Sequence, residues 1–195
     1  MRRRRSRLSR RERDAFGARL ARVAVREPLI RNSHRIAVYL PVNGEMDPRP
    51  LMDRLRSMGK ALYLPVLVDF PERRLWFSAY APGAPLVSNR YGIPEPKCPP
   101  FRRTRPVSLD LVLMPLVAFD AKGHRLGMGG GYYDRSLAFI KRRCHWRKPR
   151  LVGLAYDFQR LPLIEAESWD VPLDGVATER RVYHCKRAQT LMRHE

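Results

Sequence analysis

At 195 residues the chain has the length of one domain with a single core, its 44% hydrophobic content excludes global disorder, and no apolar run approaches a membrane span. Lys and Arg number 39 against 19 Asp and Glu, a net charge of +20 that suits an anionic partner, either nucleic acid or phosphorylated small molecules. The three cysteines, Cys98, Cys144 and Cys185, are odd in number and far apart, as in reduced thiols, and the basic N-terminus lacks the features of a secretory leader, so a cytoplasmic protein is expected.

Arg2, Arg3, Arg4, Arg5 and Arg7 give residues 1–8 a dense positive charge, which by composition reads as a flexible solvated tail or an RNA-binding arm. Ser9 and Glu12 have the spacing of a capping box, and Phe16, Leu20, Val23 and Ala24 recur at helical spacing as far as Pro28. Arg35 to Pro41 is the first strand, delivering the turn Asn43-Gly44-Glu45-Met46-Asp47 to its end. Asp47-Pro48 then opens a helix, with proline at its first position, that closes at Gly59. Glu45 is either a surface turn residue or a carboxylate placed for a ligand, since loops after strands carry the sites of open α/β sheets.

Ala61 to Val68 is a second strand, and Leu75 to Tyr80 a third beside it across Asp69-Phe70-Pro71-Glu72. From Ala81 to Pro106 the chain is proline-rich and polar, and a connection this long tends to be functional. Its Tyr91 is suited to stacking on a flat ring or to packing on the body of the protein. Leu109 to Val117 reads as a central strand buried on both faces, with Pro115 marking its end or a bulge.

The most distinctive stretch is Gly123-His124-Arg125-Leu126-Gly127-Met128-Gly129-Gly130-Gly131-Tyr132-Tyr133-Asp134-Arg135. Four glycines within five residues, after an apolar run and before a helical pattern, describe a strand, a tight loop and a helix start. Such a loop converges bare backbone N–H groups on one point, and its natural occupant is a phosphate. Arg125 and Arg135 bracket it, while Asp134 would repel phosphate unless a divalent cation bridged them. The spacing is neither a dinucleotide fingerprint nor a P-loop, and a glycine-rich surface turn is the alternative.

Leu137, Ala138, Ile140 and Lys141-Arg142-Arg143 continue the helix. Arg150 to Tyr156 is another buried strand, Gln159 to Ser168 an irregular or helical piece, and Val171 to Glu179 leads to a final strand. Asp174-Gly175 on its own reads as a turn. Cys144-His145 and His184-Cys185 imitate zinc ligands at a spacing that fits no zinc module. Strands alternating with helices argue for a three-layer α/β domain.

The segment Arg125 to Asp134 resembles the signature of the 5-formyltetrahydrofolate cyclo-ligase family, also called methenyltetrahydrofolate synthetases. The likeness extends through Tyr39 to Pro50, Asn89 to Pro96, Leu109 to Asp120, and Asp174 to Glu179. It implies one domain over residues 1–195, built as a Rossmann-like open, mostly parallel sheet with helices on both faces. The implied reaction is ATP-dependent conversion of 5-formyltetrahydrofolate, including polyglutamylated forms, to 5,10-methenyltetrahydrofolate, without a covalent enzyme intermediate. ATP is the co-substrate and Mg2+ the metal. By the same resemblance ATP lies against Arg125, Leu126, Gly127, Met128, Gly129, Gly130, Gly131, Tyr132 and Tyr133, assisted by the basic N-terminal segment, where Arg2, Arg3 and Arg5 are candidates. Glu45, Tyr91, Met128 and Tyr132 line the folate side, and Asp134 with Asp174 holds the magnesium. A monomer is expected. The competing expectation is a basic RNA-binding module on a ligase-like scaffold, with affinity falling steeply with salt.

Overall fold

The computed structural model describes residues 1–68, 71–143 and 148–185. The chain opens with α1 (Arg2–Ser6), so the basic N-terminus is a helix rather than a solvated tail, and its Arg5 is buried. Ser9 and Glu12 form the expected capping box: the Ser9 Oγ accepts from the Glu12 N–H, and the Glu12 carboxylate accepts from the Ser9 N–H at 2.8 Å. With two orphan donors satisfied, α2 (Arg10–Ala24) runs on to the short α3 (Pro28–Arg31).

The first strand, β1 (Arg35–Ala37), is shorter than the apolar run that announces it, because the following residues turn into the Glu45 loop. Helix α4 (Arg49–Ser57) begins one residue later than expected: Pro48 is the cap and Asp47 Oδ1 accepts the Arg49 N–H at 2.9 Å. Then come β2 (Ala61–Val68) and β3 (Arg74–Ala79), an antiparallel pair whose expected turn residues Asp69 and Phe70 lie outside the described residues. The proline-rich connection folds partly into a hairpin of β4 (Leu86–Ser88) and β5 (Pro94–Pro96).

Strand β6 (Leu111–Pro115) ends on the proline, as its sequence suggests. The glycine loop does not follow this strand directly, since a short hairpin of β7 (Ala118–Phe119) and β8 (Arg125–Leu126) intervenes. The helix beyond it, α5 (Tyr132–Leu137), gives way to a 3₁₀ turn over Ala138–Arg142, so the expected longer α-helix is not formed. Strands β9 (Arg150–Leu154), β10 (Gly175–Ala177) and β11 (Val182–His184) complete the described fold.

The sheet order is β11-β10-β9-β6-β1-β2-β3, parallel from β10 to β2 and antiparallel only at the two outer pairs. Alternate residues feed two cores. Ile36, Leu62, Leu111 and Val152 pack with Leu20 and Ala24 of α2 and Leu51 and Leu55 of α4. On the opposite face Ala37, Val112, Leu151 and Val176 pack with Leu137 and Ile140. Leu111, Val112, Leu113 and Met114 are wholly inaccessible, which is why β6 carries no polar residue. The three-layer arrangement with helices on both faces is therefore as the alternation predicts. Among the described residues no helix is long and apolar enough to cross a membrane.

Candidate functional site

The sheet reverses its winding between β1 and β6, and a parallel α/β sheet opens a crevice outside the carboxyl ends of the strands at such a point. The loop after β1 carries Glu45. The segment after β6 carries Leu116 and leads through the β7–β8 hairpin to the glycine loop. Helix α1 closes over both: Arg5 Nη1 donates to the Leu116 carbonyl at 3.0 Å, and Gly44 lies so close that a Cβ there would meet the Arg5 carbonyl at 3.0 Å. Three segments remote in sequence thus meet at one place.

Arg5 is the unusual member of this cluster. It is 1% exposed, and its Nε and Nη2 have no hydrogen-bond partner among the described residues. A guanidinium keeps its proton, and an unpaired buried charge is strongly destabilising, so the site fits an incoming anion. Arg2 and Arg3 lie exposed on the same helix.

In the glycine loop, Gly129 and Gly131 hold φ of +91° and +62°, a region that L side chains avoid. Gly131 caps α5, and a Cβ there would lie 2.7 Å from Arg135 Nη1. Above Gly127 and Gly129 the space is open. The two bracketing arginines do structural work here. Arg135 donates to the Gly130 carbonyl and, at 3.0 Å, to the Arg73 carbonyl. Arg125 donates to the Val171 carbonyl and, at 2.5 Å, to Asp134 Oδ1. They hold the loop's shape and leave its backbone donors as the open groups.

Asp134 Oδ1 also accepts the Val171 N–H at 3.2 Å, while its Oδ2 makes no hydrogen bond among the described residues. Asp170, the neighbour of Val171 in sequence, accepts the Glu167 N–H through Oδ2 at 3.0 Å. Asp174 is not brought to Asp134. It sits at the opposite, amino-terminal edge of the sheet, where Oδ2 accepts the Leu151 N–H at 2.7 Å and Oδ1 pairs with Arg150 at 3.0 Å. Strand ends expose unpaired N–H groups, and this carboxylate ties β9 to the start of β10. Sequence reasoning did not single out Asp170, whose only signal is that it precedes Val171, the residue that donates to Asp134.

On the other side of the loop Tyr91, at the tip of the β4–β5 hairpin, meets Tyr132. Their hydroxyls are 3.2 Å apart and their rings pack edge to face at 6.1 Å, with Arg90 donating to the Tyr132 hydroxyl. Tyr91 is 56% exposed, and Leu126 and Met128 are also exposed, giving an open apolar mouth. Deeper in, Glu45 is buried and its Oε2 accepts the Val42 N–H at 3.1 Å. Burial raises its pKa, against the lowering by that hydrogen bond and by Arg5. Tyr133 is pushed up by burial and by the Glu45 charge, with Arg125 opposing.

A separate cleft of about 330 Å³, lined by Arg4, Phe16, Arg19, Asp157, Phe158 and Glu179 among others, contains none of these residues. No group of three or more candidate metal ligands occurs among the described residues. Cys144 and His145 lie outside them, and His184 is 3.6 Å from Glu27.

Comparison with known proteins identifies the family. The model of the 5-formyltetrahydrofolate cyclo-ligase family matches residues 1–179. The 5-formyltetrahydrofolate cyclo-ligase of Escherichia coli is 40% identical over 186 residues, covering 94% of this chain and 98% of that one. That of Haemophilus influenzae is 42% identical over 146 residues, covering 73% and 74%. The NMR structure of Aquifex aeolicus 5,10-methenyltetrahydrofolate synthetase superposes with a TM-score of 0.77 at 32% identity, covering 100% of this chain and 93% of the other.

Proposed function

Because the chain belongs to the 5-formyltetrahydrofolate cyclo-ligase family, we propose that it converts 5-formyltetrahydrofolate and ATP to 5,10-methenyltetrahydrofolate, ADP and phosphate in the crevice between β1 and β6. A formamide carbon is a poor electrophile, protected by the resonance that gives amides a rotation barrier of ~18–20 kcal/mol. Transfer of the γ-phosphoryl group to the formyl oxygen removes that protection. N10 then attacks the formyl carbon, and phosphate leaves with the oxygen.

The chain's task is to position the two substrates and neutralise the transferring group. The open N–H groups of Gly127 to Gly131 cradle the phosphates, with Arg5 supplying the full charge beside them. Arg125, Leu126 and Tyr133 shape that cradle from behind. Tyr91, Tyr132 and Met128 face the flat folate ring at the mouth, and Glu45 meets its N–H groups. Polyglutamate tails would extend from this open mouth into a molecule of net charge +20. A magnesium ion would offset phosphate charge, and the oxygen donors that fit it are Asp134, through its unused Oδ2, and Asp170, with phosphate and water oxygens completing the shell.

The observation that carries this reading is the buried Arg5 guanidinium, two of whose nitrogens have no hydrogen-bond partner among the described residues, packed against Gly44 beside Glu45. The test is the methenyl-folate absorbance band after mixing protein, magnesium, 5-formyltetrahydrofolate and ATP. An ATP-dependent rise is expected, and its absence with folded protein refutes the proposal.

A further inference from the structure

We propose that Glu45 is the proton acceptor for N10 during ring closure. This rests on the reaction proposed above and gives one residue a chemical role in it. N10 attacks as a secondary amine, its lone pair forming the new C–N bond to the phosphorylated formyl carbon. The N10–H bond must then break, its electrons staying on nitrogen, while the C–O bond breaks with its pair leaving on phosphate. The product is the methenyl cation, and one proton needs an acceptor beside N10. Glu45 takes that proton as a carboxylate and passes it to solvent.

The carboxylates around the crevice differ in what they already hold. Asp134 is bound to Arg125. Asp47 is bound to Arg49 at 2.6 Å. Asp120 accepts from the N–H groups of Lys122, His124 and Ile164 and lies 3.0 Å from the His124 ring. Asp157 takes the Tyr183 and Thr178 hydroxyls, and Glu179 takes the Asp157 N–H. Among the described residues Glu45 has no salt bridge within 4 Å, uses one oxygen on a backbone N–H, and leaves Oε1 without a hydrogen bond; Asp170 is likewise without an ion pair, but it lies on the phosphate side proposed for magnesium.

Its surroundings favour base chemistry. Arg5 faces it from α1, Tyr39 from the segment after β1 and Tyr133 from α5, and Asp47 acts on the same cluster from its own loop. The Tyr39 hydroxyl is committed to the Met46 carbonyl at 2.7 Å, and the Tyr156 hydroxyl pins the Glu45 carbonyl at 3.2 Å, so the backbone is fixed while the carboxylate stays available. Withdrawal from water makes the Glu45 carboxylate more basic, with the Val42 N–H and the Arg5 charge opposing that rise. Tyr133 links it to the glycine loop, where the phosphorylated oxygen would lie.

The test compares wild type, Glu45→Gln and Glu45→Asp by single-turnover methenyl formation at saturating folate across pH, with folate KM measured in parallel. Gln preserves the acceptor for the Val42 N–H, and a thermal melt checks that the fold survives. The wild-type rate should fall as pH drops through the Glu45 pKa. Glu45→Gln should lose that acid limb and slow by roughly 10²–10⁴-fold near neutrality, and Asp should recover part of the rate. A Gln variant with an unchanged saturating rate and a raised folate KM overturns the role and leaves Glu45 as a binding group. A wild-type protein that forms no methenyl product overturns the reaction and the role together.

Discussion

Arg5 and Asp174 show how one side chain changes meaning with its surroundings. Arg5 belongs to a run that composition alone assigns to solvent, yet it is enclosed, and two of its nitrogens have no hydrogen-bond partner among the described residues. Arg5→Met should raise the KM for ATP about tenfold or more, which steady-state kinetics checks, with melting curves showing whether the fold survives. Asp174 is one of two aspartates four residues apart, and its oxygens are engaged by Leu151 and Arg150 at the far edge of the sheet. Asp174→Asn should therefore lower stability without altering the magnesium dependence of turnover. Asp134→Asn should do the converse, a large loss of turnover with a shifted magnesium response.

At the scale of elements, two devices hold the layers in register. The capping box on α2 satisfies the Ser9 and Glu12 N–H groups, and Ser9→Ala should cost about 1 kcal/mol in denaturant unfolding. Asp110 ties the start of β1 to β6, accepting from His34 and Arg35 N–H groups at 3.0 and 2.9 Å and from Lys148 at 2.7 Å. Burial alone would raise its pKa, but these donors outweigh it and hold the carboxyl at about 2, below the ordinary 3.8. A depressed folded-state value stabilises above the unfolded pKa and loses that contribution as pH falls through the folded one. Asp110→Asn should thus cost roughly 1–2 kcal/mol at neutral pH, discounted because Lys148 is half exposed, with the gap to wild type closing between about pH 4 and 2 in pH-resolved urea melts.

For the whole molecule, the net charge of +20 surrounds a crevice proposed to take two anionic substrates. Electrostatic steering of that kind is screened by salt, so kcat/KM should decline as ionic strength rises while the saturating rate changes little. The same measurement with RNA in place of substrates separates a steering field from a nucleic-acid surface. The fold beneath the charge depends on β6, the central strand, where Leu113→Ala should cost about 2–5 kcal/mol because the surrounding layers cannot collapse into the space.

The sequence by itself determined the layered α/β class, the capping box, the full length of β2, the burial of β6 up to its proline, and the glycine loop. Each of these is written in short-range pattern: alternation, cap spacing, turn residues. It also carried the family likeness, since the motif is contiguous. Only the tertiary structure decided which arginine of the N-terminal run is buried, that Arg125 and Arg135 brace the loop, and that Asp174 is held by Leu151 and Arg150. Those outcomes depend on contacts between segments far apart in the chain, and local pattern holds no record of which partner a charged side chain will meet.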